Sequence, residues 1–378
     1  MKIIIVGPAH PYRGGLATFD ECMAKQYQTD GVEVTIETFT LQYPSFLFPG
    51  KTQYTTDAPP EGLTIRRSVH SLNPFNWIKV GRMLKKENAD MVFLRYWMPF
   101  MAPCMGSIGR IVRKNKKTKV VGLVDNIIPH EKRIGDTLLS RYFVNGMDAF
   151  LVLSDAVKEE LRQFDAQKPC LVTPHPTYDH YGALLTKEEA ARRLNLSATE
   201  RYVLFFGFIR DYKGLDILMH ACADARIRER NIKLVVAGEF YNNAEKYHAL
   251  ERELGLEGSI IWYSDFIPND EVTHFFSLAD LVVQPYKTAT QSGISQMAYH
   301  FEKPMVVTRV GGLPEIVPHG KVGYVVDVDA SAVADAMVDF FDTKTLADFL
   351  PYLQEEKKKY TWEGLCRATY QLLNNGID

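Results

Sequence analysis

Along nearly the whole chain, short apolar, β-branched runs alternate with longer stretches in which apolar positions recur every three or four residues. In the first half the runs predict strands at Lys2–Val6, Val32–Phe39, Leu63–Val69, Met91–Tyr96, Lys119–Asp125, Ala149–Leu153 and Pro169–Thr173. In the second half they predict strands at Tyr202–Phe206, Lys233–Ala237, Ile260–Tyr263, Leu281–Gln284, Met305–Val310 and Tyr324–Val328. Strands that are apolar throughout are covered on both faces, and helical connections between them imply parallel pairing. Leu215, Leu218, Cys222 and Ala225 predict one covering helix, Ile294–Phe301 a second, and Tyr360–Leu373 an amphipathic terminal one. The pattern reads as α/β, with doubly wound parallel sheets.

A chain of 378 residues exceeds one ordinary core, so two domains are expected. The break is placed in the Pro-rich segment His175–Ala183, giving domains 1–180 and 181–359. Two such domains facing each other would make a deep cleft, with ligands at the carboxyl ends of the strands.

Composition adds three constraints. Apolar residues at 46% and charged residues at 24% are those of a soluble globular protein. The net charge of −2 hides an asymmetry: residues 1–180 hold 23 basic and 18 acidic residues, and residues 181–378 hold 21 and 28. A basic first half suggests an anionic partner such as a membrane surface or a phosphorylated acceptor. The five cysteines are scattered and show no CxxC or Cys/His ligand spacing, so neither a disulfide framework nor a zinc site is indicated. The opening MKIIIVGPAH reads as a first strand rather than a signal peptide, and no apolar run approaches the roughly 18 residues that span a bilayer. A cytoplasmic protein is expected.

Several loops following predicted strands carry candidate chemistry. FFGFIRDYKG (Phe205–Gly214) puts Arg210 and Lys213 between a strand and a helix, where two cations suit a diphosphate. The same residues would also serve as ordinary surface charges. In the stretch Leu281–Glu315, a small polar loop leads through Gln291-Ser292-Gly293 into a helix, whose N–H groups and dipole would seat a phosphate or sugar hydroxyl. Gly14-Gly15 after the first strand permits a tight turn and a close ligand approach, but it is not GxGxxG. His130, past the fifth strand, could hydrogen-bond a substrate or move a proton. Asp327-Val328-Asp329 looks like a metal motif, yet its place before a helical run favours capping. Arg95–Lys119 joins aromatic and apolar residues to a basic end and, with Phe46-Leu47-Phe48-Pro49, would fit a peripheral membrane contact. A core helix with a solvated end explains that segment equally well.

With these residues in view, the chain resembles the retaining glycosyltransferases of family 4, glycosyl transferases group 1, which have the two-domain GT-B fold. The resemblance rests on FGFIRDYKG, VAGEF (Val236–Phe240), SDFIPNDEV (Ser264–Val272), ADLVVQPY (Ala279–Tyr286), VGGLPEIV and GYVVDVDASAVADAM, in that order. It implies two Rossmann-like domains facing a deep cleft, an acceptor-side domain and a donor-side domain, with residues 360–378 crossing back onto the first. By resemblance, Arg210 and Lys213 hold the donor diphosphate, and His130 contacts the transferred sugar. Backbone around Ile267 meets the base, Ser292, Gly293 and Ile294 hold phosphate and sugar, and Gly207, Gly14 and Gly15 approach the donor.

The chain departs from the family at two carboxylates eight positions apart, whose places fall at Thr288 and Gln296, or at Ala289 and Met297 in the neighbouring register. Gln296 can still bond ribose hydroxyls, and Thr288, Thr290 or Gln291 can meet the sugar. The resemblance implies transfer of a hexosyl group from a nucleoside-diphosphate sugar to a glycan or lipid-linked acceptor, with retention. It implies no metal or other cofactor, and a role in cell-envelope polysaccharide or glycolipid synthesis. A nucleotide-sugar epimerase of the same fold and a catalytically silent nucleotide-sugar-binding protein remain alternatives.

Overall fold

A computed structural model describes residues 1–44, 52–129, 133–178, 181–241 and 244–374. The chain forms two units, Met1–His175 with Trp362–Asp378, and Pro176–Thr361. The first break falls a few residues before the expected 180/181. The rings of Tyr178 and Tyr181 are buried 5.7 Å apart within the second unit. The return falls after Thr361 because Tyr360 packs its ring 4.9 Å from that of Tyr299. Outgoing and returning segments are tied together where the Thr177 N–H donates to the Tyr360 carbonyl at 3.0 Å.

The first unit holds β1 (Lys2–Val6), β2 (Glu33–Leu41), β3 (Ile65–His70), β4 (Met91–Tyr96), β5 (Lys119–Val124), β6 (Ala149–Val152) and β7 (Cys170–Val172). All pairs are parallel, in the order β3-β2-β1-β4-β5-β6-β7. Helices α1 (Gly15–Thr29), α2 (Pro74–Glu87), α3 (Ala102–Val112), α4 (Asp136–Val144) and α5 (Asp155–Arg162) connect the strands. One face of the sheet is covered by α1 and by the terminal helices Trp362–Thr369 and Gln371–Asn374, through Phe19, Met23, Tyr27, Leu365, Cys366 and Leu372. The other is covered by α2, α3, α4 and α5, through Val80, Leu84, Met105, Ile108, Phe143 and Val157. Local chemistry sets the starts of these helices: Asn73 caps α2 by accepting from the N–H groups of Phe75 and Asn76 with Pro74 at the first position, and Ser154 caps α5.

The second unit holds β8 (Arg201–Phe206), β9 (Ile232–Ala237), β10 (Ile260–Tyr263), β11 (Leu281–Gln284), β12 (Met305–Thr308) and β13 (Gly323–Val326), ordered β10-β9-β8-β11-β12-β13 and again parallel. Strand direction of growth reverses between β1 and β4 in one unit and between β8 and β11 in the other, the switch points where doubly wound sheets bind ligands. The helix expected through Ala225 stops at Cys222, because Asp224 accepts from the Arg226 N–H and caps a new helix, Ala225–Glu229. Asp329 caps Ala330–Thr343 through the Ala332 N–H at 3.0 Å. In Arg95–Lys119, Met101, Ala102, Cys104, Met105, Ile108 and Val112 are buried in the core, leaving the basic end at the surface. Phe46-Leu47-Phe48-Pro49 lies outside the described residues.

Candidate donor site at the switch point of the second unit

The two loops that flank the switch point follow β8 and β11. After β8 the backbone turns at Gly207 (φ 91°) and makes one 3-10 turn at Asp211–Lys213. It turns again at Gly214 (φ 68°) into the helix Leu215–Cys222. This loop is zipped to the segment after β9: Ile209 N–H donates to the Glu239 carbonyl at 2.8 Å, and Tyr241 N–H to the Ile209 carbonyl at 3.0 Å. It is also tied to the segment after β11, where Lys287 donates from its N–H to the Tyr212 carbonyl at 2.7 Å and pairs through Nζ with Asp216.

Close backbone packing fixes these junctions. A β-carbon on Gly238 would fall 2.3 Å from the Gly207 carbonyl oxygen, and one on Gly214 would fall 1.9 Å from the Pro285 carbonyl oxygen. Real β-carbons do not approach so closely, so both positions need glycine for space as well as for φ.

Lys213 sits inside this frame. It is 9% exposed, its Nζ lies 5.7 Å from the centre of the buried Tyr286 ring, and a β-carbon on Gly207 would stand 3.0 Å from that Nζ. No carboxylate pairs with it among the described residues. Burial, with the nearby Arg210 charge adding to it, pushes its pKa down to about 8. A buried ammonium without a counter-charge is costly, and a bound anion removes that cost. Arg210 stands half-buried with its guanidinium carbon 3.9 Å from the Tyr241 ring centre.

The second loop supplies Ser292, which caps the helix Gly293–His300 by accepting from the Ile294 N–H at 3.2 Å. The Ile294 amide is therefore engaged within the chain and is not the open donor that the sequence suggests; the Gly293 amide has no partner among the described residues. Ile294 Cδ1 comes within 3.4 Å of the β-carbon position of Gly207, and Ser292 Oγ lies 3.4 Å from the Tyr286 hydroxyl. Thus Gly207, Lys213, Ser292 and Ile294, expected from the sequence, converge around Tyr286.

The remaining candidates are more dispersed. Thr290 is buried, and its carbonyl accepts from the Gly312 N–H at 3.2 Å. Thr288 is exposed, and Gln291 and Ile267 are half-buried. Gln296 is fully buried, and neither Oε1 nor Nε2 has a hydrogen-bond partner among the described residues. Met297, its alternative in the neighbouring register, is buried as well. In the first unit, Gly14 (φ 102°) precedes α1 and Gly15 begins it. His130 falls outside the described residues.

The sequence reading missed Tyr286 and Tyr241. Both lie in motifs it quotes or borders, but a ring seated beneath a lysine or beside an arginine is visible only once distant loops meet. It also missed Arg95, an arginine in the fully buried strand β4. Arg95 donates to both oxygens of Asp125 at 2.9 and 2.6 Å and to Asp20 at 2.6 Å, so one cation serves two carboxylates. Burial, with a contribution from Asp125, pushes the pKa of Asp20 up to about 7 against the pull of Arg95.

Among the described residues no three His, Cys, Asp or Glu side chains gather as a metal site, and no helix is long and apolar enough to cross a membrane.

Residues 200–343, which contain both loops, match the family described as Glycosyl transferases group 1. The chain is 26% identical over 262 residues to a D-inositol 3-phosphate glycosyltransferase of Corynebacterium urealyticum, covering 66% of this chain and 60% of that protein. It is 24% identical to D-inositol 3-phosphate glycosyltransferase 2 of Catenulispora acidiphila, covering 97% of this chain and 91% of that one. Among solved structures, sucrose-phosphate synthase from Thermosynechococcus elongatus superposes with a TM-score of 0.75 at 15% identity, over 99% and 98% of the two chains. Anabaena HepE, solved in complex with UDP-glucose, superposes with a TM-score of 0.74 at 15% identity over the whole of both chains. These neighbours share the GT-B fold of two parallel-sheet, Rossmann-like domains seen in this chain, and residues 200–343, which carry both loops, are similar to Glycosyl transferases group 1.

Proposed function

We propose that the chain moves a hexosyl group from a nucleoside-diphosphate sugar to a glycan or lipid-linked acceptor, with retention of anomeric configuration, as family 4 enzymes do. The observation that carries this reading is the buried ammonium of Lys213, set without a carboxylate partner among the described residues at the carboxyl end of β8, beside the switch point. That position calls for an anion, and a diphosphate has the charge to fill it. The UDP-glucose complex of the structural neighbour HepE supports a uridine donor. Acceptors of this kind would place the enzyme in cell-envelope polysaccharide or glycolipid synthesis, in the cytoplasm or at the inner face of the membrane.

In this scheme Lys213 and Arg210 hold the diphosphate, with Gly207 leaving room for the ammonium. The Gly293 amide and the hydroxyl of Ser292 meet phosphate and sugar, the backbone at Ile267 meets the base, and Gln296 meets the ribose. Thr288, Thr290 and Gln291 stand in for the absent carboxylate near the sugar. The family resemblance also assigns donor or sugar contacts to Gly14, Gly15 and His130.

As the bond between the anomeric carbon and the β-phosphate oxygen breaks, positive charge develops on the sugar and negative charge on the diphosphate. Lys213 and Arg210 stabilise the latter. The acceptor oxygen then bonds to the anomeric carbon and its proton passes to the departing phosphate. Protein cations counter the leaving charge, so activity should survive EDTA.

Product analysis with a panel of nucleotide sugars tests the reading. A new glycoside that retains the donor's anomeric configuration supports it. Epimerised donor as the sole product, or donor binding with neither transfer nor hydrolysis, overturns it.

A further inference from the structure

The positive charge of the first half is concentrated on one side of its sheet. Helices α2, α3 and α4 pack side by side and bury their inner faces in the same core cluster. Residues 72–87, 102–117 and 133–145, which hold these three helices and their ends, contain eleven Lys and Arg residues and two acidic ones, Glu87 and Asp136, whereas α5 on the same face carries two basic and three acidic residues. Glu87 is engaged by Lys2 and Arg66. The opposite layer, residues 15–29 with 360–374, contains two basic and three acidic residues. Lys79, Arg82, Lys86, Lys114, Lys116 and Arg141 are exposed and pair with no carboxylate among the described residues.

The two helices that flank α3 also carry exposed apolar side chains. On α2, Phe75 is 84% exposed and Ile78 is exposed beside it, in one helical stripe with Lys79, Arg82 and Lys86. At α4, Ile134 is fully exposed and Leu138 is 73% exposed, four residues apart and followed by Tyr142, over whose ring Arg110 lies. Half of the large apolar side chains exposed on the described surface lie on this layer: Leu72, Phe75, Ile78, Ile134, Leu138 and Tyr142. Phe75 and Lys86 are about 16 Å apart along the helix, so the stripe is long enough to lie flat on a surface.

We propose that the outer face of α2, α3 and α4 docks on an anionic phospholipid bilayer, with Phe75, Ile134 and Leu138 entering the headgroup boundary and the unpaired lysines and arginines meeting lipid phosphates. Charge complementarity selects an anionic partner, and apolar side chains standing in solvent between the cations select a lipid surface over a nucleic acid. This names the partner of a lipid-linked acceptor reading but does not depend on the transfer chemistry.

Co-sedimentation of the full chain with vesicles tests it. The wild type should pellet with phosphatidylglycerol–phosphatidylcholine vesicles at low salt, not with phosphatidylcholine alone, and should be released by about 0.5 M salt. With about 1 kcal/mol for each cation near such a surface, Lys79→Gln/Arg82→Gln/Lys86→Gln should lower partitioning by about a hundredfold. Phe75→Ser/Leu138→Ser should lower it too, while both variants keep the wild-type Tm and the wild-type thermal shift with nucleoside diphosphate. Equal binding by wild type and variants, or no binding to anionic vesicles, overturns the proposal. So does a wild-type dimer that Phe75→Ser/Leu138→Ser dissociates without any vesicle binding, which would make the face an interface between copies. Loss of transfer with vesicle binding intact would count against the proposed function and leave this inference standing.

Discussion

Gly311 lies so close to Ala289 that a β-carbon on it would fall 1.5 Å from the Ala289 carbonyl oxygen. The turn after β12 thereby presses on the loop that leads from β11 to Ser292, and the Gly312 N–H bonds the Thr290 carbonyl in the same contact. Gly311→Ala should displace that loop. Gly320 also has a positive φ, 76°, but open space around it, so Gly320→Ala isolates backbone strain from collision. We expect Gly320→Ala to cost about 1–2 kcal/mol with nucleoside-diphosphate binding intact. Gly311→Ala should cost more and weaken that binding at least tenfold. Urea unfolding and calorimetric titration on both variants check this; equal losses would remove the special role of the contact.

Lys213 should trade stability for binding. Its pKa, lowered from 10.5 to about 8, means that the unfolded chain holds more protons between those values. Stability therefore rises as pH rises through that window, and at pH 7 the buried charge costs up to about 3 kcal/mol. Lys213→Met should be at least as stable as the wild type at pH 7 and lose the rise between pH 8 and 10.5. Its turnover should fall by about 10²–10³, and that of Arg210→Ala likewise. Diphosphate affinity of the wild type should weaken above pH 8 as the ammonium deprotonates. Tm against pH, and affinity against pH, read the two effects separately.

Asp20 and Arg95 give a second pH signature in the first unit. Asp20 is raised from 3.8 to about 7, so the folded state holds more protons between those values and stability falls as pH rises through them. Asp20→Asn should flatten that fall and leave the Arg95–Asp125 pair in place. Arg95→Met strands Asp125 and Asp20 together and should cost about 3–5 kcal/mol at pH 7.5. Denaturant midpoints at pH 5 and pH 7.5 distinguish these outcomes.

Gln296 buries an amide with no partner among the described residues. If that amide awaits the donor ribose, Gln296→Met should leave the unliganded Tm unchanged or higher, since an unsatisfied polar group is removed. It should cut nucleoside-diphosphate affinity about tenfold. A lower Tm with unchanged affinity would make Gln296 a structural residue.

Much of this molecule was legible from period and composition. β4, Met91–Tyr96, is apolar at nearly every position and buried on both faces, so its bounds and parallel pairing follow from its residues. β10 and β11 are equally plain. Arg95 shows the limit: in the sequence it is one cation in an apolar run, and only the pairing of β4 with β5 carries it to Asp125. The candidate phosphate loop stands out in the sequence because a strand, two cations and glycines occur in order. That Gly238 must admit Gly207, or Gly311 must admit Ala289, involves residues 31 and 22 positions apart and leaves no local trace. The excess charge of the first half was countable, but its confinement to α2, α3 and α4 depends on which side of the sheet each crossover takes.

Lys213 is proposed to hold the donor diphosphate. Calorimetric titration of UDP and other nucleoside diphosphates into wild type and Lys213→Met at pH 7 tests it most directly. The wild type should bind saturably, and the variant should lose at least thirtyfold in affinity while its Tm is equal or higher. Equal affinities in a folded variant, or no nucleoside diphosphate bound by the wild type, would contradict it.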